Sequence, residues 1–167
     1  VVNITNAPTN TGAFNVGVGS STNAGQIGGF GAATITSNAL LTSQSNVNIG
    51  GQGVSGLMQV SNFGTVQTGG RVNVGLASLI GGTVYGGNGT LVIDSGGVVS
   101  AGDRIIIGVS GTGVTAGTTY ATGTVDIGPG GTLISTAPTL TGTSNSSGVV
   151  IGSGVGTPGF VSVHGTG

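Results

Sequence analysis

A glycine-bounded block of twenty residues recurs along this chain, and that recurrence constrains the fold more than any other property. Residues 56–75 read GLMQVSNFGTVQTGGRVNVG and residues 89–108 read GTLVIDSGGVVSAGDRIIIG. Residues 31–50 form a third copy, GAATITSNALLTSQSNVNIG. A fourth opens at Gly123, is interrupted after Thr136, and resumes at Gly148 to Gly152. A shorter copy runs from Val1 to Gly17, and a partial one starts at Gly159. With the segments between copies included, the repeats are approximately 1–30, 31–55, 56–88, 89–122, 123–158 and 159–167, all within one domain of 167 residues.

Counting the opening glycine as zero, positions two and four are apolar in every copy. They are Val2 and Ile4, Ala33 and Ile35, Met58 and Val60, Leu91 and Ile93, Val125 and Ile127, Val161 and Val163. The residue between is Asn3, Thr34, Gln59, Val92, Asp126 or Ser162, and such alternation makes a half-buried strand. Position ten (Leu41, Val66, Val99, Leu133) centres a second strand. Positions 16 and 18 carry a third: Val47 and Ile49, Val72 and Val74, Ile105 and Ile107, Val149 and Ile151, with Phe14 and Val16 in the first copy. Gly69-Gly70, Gly96-Gly97 and Gly130-Gly131 read as corners, where glycine adopts positive φ freely. The glycine spacing breaks any helix. Three short strands per repeat predict an all-β parallel β-solenoid of about five coils, with variable loops leaving one corner. Val60, Ile93, Ile127, Val74 and Ile107 are expected to be buried.

Composition excludes several functions. Two arginines and no lysine cannot track a phosphate backbone, so no nucleic-acid partner is expected. No cysteine is present, hence no disulfide or thiolate zinc site. No apolar run is long enough for a transmembrane helix. The charged fraction is 3%, against roughly 25% in an ordinary domain.

The pattern GGTVxxGGxVxVG, seen from Gly64-Thr65-Val66 to Gly75 and from Gly96-Gly97-Val98 to Gly108, resembles the repeats of bacterial autotransporter passengers and related surface β-helix proteins. The resemblance implies secretion, an extracellular rod, and adhesion or self-association. Nothing in the chain matches that family's outer-membrane barrel or a catalytic motif.

Candidate chemistry is sparse. Asp94 and Asp126 lie at outward positions in neighbouring coils, about 8 Å apart by strand geometry, within the spacing of an inverting glycosidase pair. No lysine, glutamate or aromatic cluster completes a groove, so they read as surface carboxylates and the chain as a non-enzyme. Arg71 and Arg104 share position 15 and repel unless an anion or Asp103 intervenes. His164 has no carboxylate in a matching position and reads as a surface histidine. Gly86-Gly87-Asn88-Gly89 opens like a calcium nonapeptide, but Leu91 stands where its aspartate belongs. Residues 154–159 match G-x-G-x-x-G, yet precede a strand. No cofactor is implied.

One polar ladder persists: position 17 is Asn15, Asn48 and Asn73, whose stacked amides can bond along the rod. The same position becomes Ile106 and Val150, an outward apolar patch that either loops or a partner must cover. Tyr85 and Tyr120 lie in the segments between repeats and are candidate contact residues for a glycan or host surface. The expectation is an extracellular bacterial rod or filament that self-associates, since the chain starts and stops within repeats and little charge opposes stacking.

Overall fold

The alternation of aliphatic and polar residues does produce strands, and the repeat stacks each on its equivalent. The computed structural model describes residues 2–5, 9–19, 29–80, 83–110, 121–136, 148–153 and 157–165. The first coil comprises β1 (Val2–Thr5), β2 (Thr9–Thr11) and β3 (Phe14–Val18), and the second β4 (Phe30–Thr36), β5 (Leu40–Ser43) and β6 (Val47–Gly51). The third holds β7 (Ser55–Val60), β8 (Thr65–Thr68), β9 (Val72–Ile80) and β10 (Thr83–Gly87), and the fourth β11 (Gly89–Ile93), β12 (Val98–Ala101) and β13 (Ile105–Ser110). The fifth holds β14 (Gly123–Ile127), β15 (Thr132–Ser135) and β16 (Val149–Ser153), and β17 (Gly159–Val163) begins a sixth.

These strands form three sheets, in the orders β1-β4-β7-β11-β14-β17, β2-β5-β8-β12-β15 and β3-β6-β9-β13-β16. Every pair along these orders is parallel; the antiparallel exception is β10, which folds back on the extended β9. The chain is an all-β parallel β-solenoid. Equivalent repeat positions meet in register: Ala33 with Met58, Met58 with Leu91, Leu91 with Val125. Thr9 of the short first copy takes the place that Leu41 holds in the second, a strand the repeat pattern did not reveal.

Inward side chains of all three sheets merge in one aliphatic core, including Ile35, Leu41, Ile49, Met58, Val60, Val66, Val74, Leu91, Ile93 and Ile107. Each such side chain, taken fully from water, contributes on the order of 1.5–3 kcal/mol. Ile127 departs from expectation: it packs against this core but is only partly buried. The reason is its neighbour in register, Val163, which is itself exposed. Val149 (46% exposed) and Ile151 (53%) occupy positions where Val72, Ile105, Val74 and Ile107 are 0% exposed.

Gly96 and Gly130 take positive φ at corners as expected, but other corners reach the same shape without glycine. The first corner is a β-turn closed by backbone bonds from Ala39 to Thr36, Gly64 to Ser61, Gly97 to Asp94 and Gly131 to Gly128. Ser37 and Asn38, Asn62 and Phe63, and Ser95 and Gly96 all have positive φ, the signature of type I′ turns. Pro129-Gly130 gives the fifth coil a type II form instead, with positive φ only at Gly130. Neither Gly69 nor Gly70 has a positive φ; their role is close packing against Gln44 and Ser45 of the coil before.

The third corner is where glycine is indispensable. Gly50 has φ of 70°, and a Cβ there would lie 2.7 Å from the Gly89 nitrogen and closer still to the Asn88 carbonyl. Gly17, Gly75, Gly108 and Gly152 take the same left-handed conformation at the same repeat position.

Candidate functional site

Three outward features carry polar chemistry. The first is the asparagine ladder on the third sheet. Parallel register sets Asn15 beside Asn48, Asn48 beside Asn73, and Asn73 beside Ile106. The Asn73 Nδ2 donates to Asn48 Oδ1, and the Asn48 Nδ2 donates to Asn15 Oδ1, each at 2.8 Å. Asn48 and Asn73 thus both point their donors toward the first coil. The series ends badly at Asn73, whose Oδ1 is buried and accepts no bond. Its next neighbour is Ile106, which has no donor to offer.

Ile106 is only 5% exposed and Asn73 8%. Ile106 therefore offers almost no contact area to a partner: of the two alternatives the sequence left open, cover by the chain itself holds at this residue. Val150, the next residue along that row, stays partly exposed. Tyr85 sits on β10 opposite Ser78 of β9, partly buried. Tyr120 lies outside the described residues. The hairpin formed by β9 and β10 also presents Leu79 to solvent.

The second feature is an ionic clasp at the second corner. Asp103 accepts from Arg71 Nε at 2.8 Å and lies 3.5 Å from Arg104 Nε. The two arginines, stacked by the repeat, are held by this intervening carboxylate, so no outside anion is required. The hydrogen bond from Arg71 is the main reason that the Asp103 carboxyl titrates below its ordinary value, and the positive charges of Arg71 and Arg104 add to it. Desolvation opposes the shift.

A stack of small residues, three of them hydroxylated, supports this corner from within. Ser43, Thr68, Ala101 and Ser135 are in register at an inward position. The Thr68 hydroxyl donates to the Ser45 carbonyl, and Ser135 Oγ donates to the Asp103 carbonyl at 2.8 Å. Sequence reading missed this row. Its signal was a run of small residues two places after each position-ten aliphatic.

The third feature is the outer face of the first sheet at its last coils. Asp126 on β14 is in register with Ser162 on β17. His164, two residues on from Ser162, faces the same way. Its Nε2 lies 3.0 Å from Asp126 Oδ1 and 2.9 Å from Ser162 Oγ. The sequence reading left His164 without a carboxylate; the structure supplies Asp126, diagonally across the strand pair. Asp94 is not drawn into this cluster. Its lateral neighbour is Gly128, where a Cβ would stand 3.0 Å from the Asp94 Cβ.

Serine, histidine and aspartate together invite comparison with a hydrolase relay. The geometry does not provide one. A relay needs serine and carboxylate on opposite ring nitrogens, so that a proton taken at one side is balanced at the other. Here both oxygens approach Nε2. Among the described residues no three His, Cys, Asp or Glu side chains converge as a metal-binding group. Comparison with protein-family models, with curated proteins and with solved structures returns no match to this chain.

Proposed function

We propose that this chain is a structural β-solenoid rod that works outside a bacterial cell and self-associates side by side. The observation that carries this reading is the outer face of the second sheet. Its outward residues are Leu40, Thr42, Thr65, Gln67, Val98, Ser100, Thr132 and Ile134, none of them ionisable. Among the described residues the ionisable side chains lie instead at the second corner (Arg71, Asp103, Arg104), at the first corner (Asp94), on the outer side of the first sheet at its last coils (Asp126, His164) or on the β10 hairpin (Tyr85). Proteins that must stay apart place charges on such faces and on sheet edges, and this one does not. The resemblance of the repeats to autotransporter passengers supports an extracellular setting.

Sedimentation velocity at micromolar concentration tests the proposal, comparing the wild type with a Thr42→Lys/Gln67→Lys variant. Large assemblies of the wild type that dissolve in the variant support it. A wild type that stays monomeric, or a variant that assembles equally well, overturns it.

A second reading, an adhesin that binds a glycan or host surface through its loops, draws on the β9–β10 hairpin with its exposed Leu79. Glycan-array binding that is lost when residues 76–88 are replaced by the five-residue connector 51–55 would favour it.

A further inference from the structure

The contact between His164 and Asp126 has an unusual character. Nε2 and Oδ1 are 3.0 Å apart, yet Oδ1 accepts no hydrogen bond and is shut off from water. The two atoms are therefore close without the N–H axis being aimed at the oxygen. A hydrogen bond requires that alignment. Two metal ligands do not, because their lone pairs aim at a common point between them. With bonds of about 2.0–2.2 Å, two donors at right angles, as around copper or nickel, stand roughly 3.0 Å apart, and the roughly 3.4 Å of a tetrahedral zinc site needs only a small opening of the pair. Ser162 Oγ, 2.9 Å from the same nitrogen, is a third donor on the same side.

An N–H on Nε2 that is not aimed at Oδ1 leaves the lone pairs of that shielded oxygen unused, whereas a metal ion held by both Nε2 and Oδ1 would use them. We propose that Asp126, Ser162 and His164 form a binding site for a divalent transition-metal ion of the zinc, nickel or copper class. Imidazole with one carboxylate selects these ions over magnesium and calcium, which prefer sets made wholly of oxygen. His164 and Asp126 are both substantially exposed, which leaves outer coordination positions to water. The ion would bridge β14 and β17, tying the last described strand of the first sheet to its neighbour. This inference is independent of whether the rods associate.

The test is equilibrium dialysis of the untagged full chain against Zn²⁺, and separately Ni²⁺, which works on rods and assemblies alike. His164 is the chain's single histidine, so any imidazole contribution is unambiguous. Saturable binding of one Zn²⁺ per chain is expected, weakened by about tenfold or more in Asp126→Asn and lost in His164→Gln. Asp94→Asn should bind like the wild type, and excess Mg²⁺ should not compete. Wild-type circular dichroism qualifies each variant, and Asp126→Ser replaces Asp126→Asn if the latter does not fold. Equal binding by wild type and the Asp126 variant would mean a lone imidazole and overturn the site. So would the absence of saturable binding at millimolar Zn²⁺.

Discussion

Replacing Ile106 with asparagine should cost this protein little, although it puts an amide into a nearly buried aliphatic position. The reason lies in Asn73. Its Nδ2 is used toward Asn48, but its Oδ1 is buried without a donor, and Ile106 is its neighbour in register. Ile106→Asn removes an aliphatic side chain that is 5% exposed, which costs about 2–3 kcal/mol of burial. In return the new amide donates to Asn73 Oδ1. Satisfying a buried acceptor that lacked a donor recovers about 1–3 kcal/mol, the hydrogen bond included. The new Oδ1 would face Val150, which is partly exposed, so water can reach it. The terms cancel to within about 1 kcal/mol. Ile106→Asp is the decisive control: it has the same shape, no donor, and a charge, and should cost about 3 kcal/mol more than the asparagine. Ile106→Ala, a simple cavity, should cost about 2–5 kcal/mol. Urea unfolding followed by circular dichroism measures all three. If the asparagine variant is as unstable as the alanine, the Asn73 acceptor is not short of a donor and the reasoning fails.

Gly50→Ala should lower stability by well over the ~1 kcal/mol of an ordinary strained site, because positive φ and a clash with the Asn88–Gly89 backbone act together; thermal denaturation reads this. Ile93→Asp should abolish folding, since an unpaired carboxylate would sit among fully buried aliphatics, and loss of the strand signal in circular dichroism checks it. For Asp103 the folded titration point lies below the ordinary 3.8. Its stabilising contribution is therefore complete above the unfolded value and is lost as pH falls through the lower, folded one. Asp103→Asn should flatten that part of an acid-unfolding curve while leaving the curve above pH ~5 unchanged in shape.

The repeat made the register legible because every parallel pair must match equivalent positions, and a slip by one residue would turn Val60 or Ile93 outward. The asparagine ladder followed from the same logic. What escaped the sequence were contacts that cross the repeat frame. His164 and Asp126 differ by two positions within their coils, so alignment by position sets Ser162, not His164, opposite Asp126. The first corner was legible where Gly96 and Gly130 mark it, and hidden in the third coil, where Asn62 and Phe63 take the left-handed conformation instead. Phe63 manages this with its ring laid over Gly96, where an added Cβ would stand 2.7 Å from the ring carbons. For Ile106 the sequence left open whether loops or a partner cover it, because burial of an outward position depends on what lies over the face, and alternation within a strand does not encode that.

The third corner has a consequence for how such a chain can change over generations. The last glycine of each coil packs against the first glycine of the next: a Cβ on Gly56 would stand 2.5 Å from the Gly50 nitrogen, and one on Gly123 would clash with the Gly108 nitrogen. Five residues separate the coils in the first case, at 51–55, and fourteen in the second, at 109–122. The chain departs and returns through the same doorway whatever it does in between. A connector of any length can then be spliced there without shifting a single rung, because its two ends already touch. Loop closure adds only about 0.6 kcal/mol for each doubling of length. The scaffold and its decorations are thereby separate inheritances: one is held fixed by the core, and the other is free to be rewritten, exchanged between coils, or replaced by a foreign sequence.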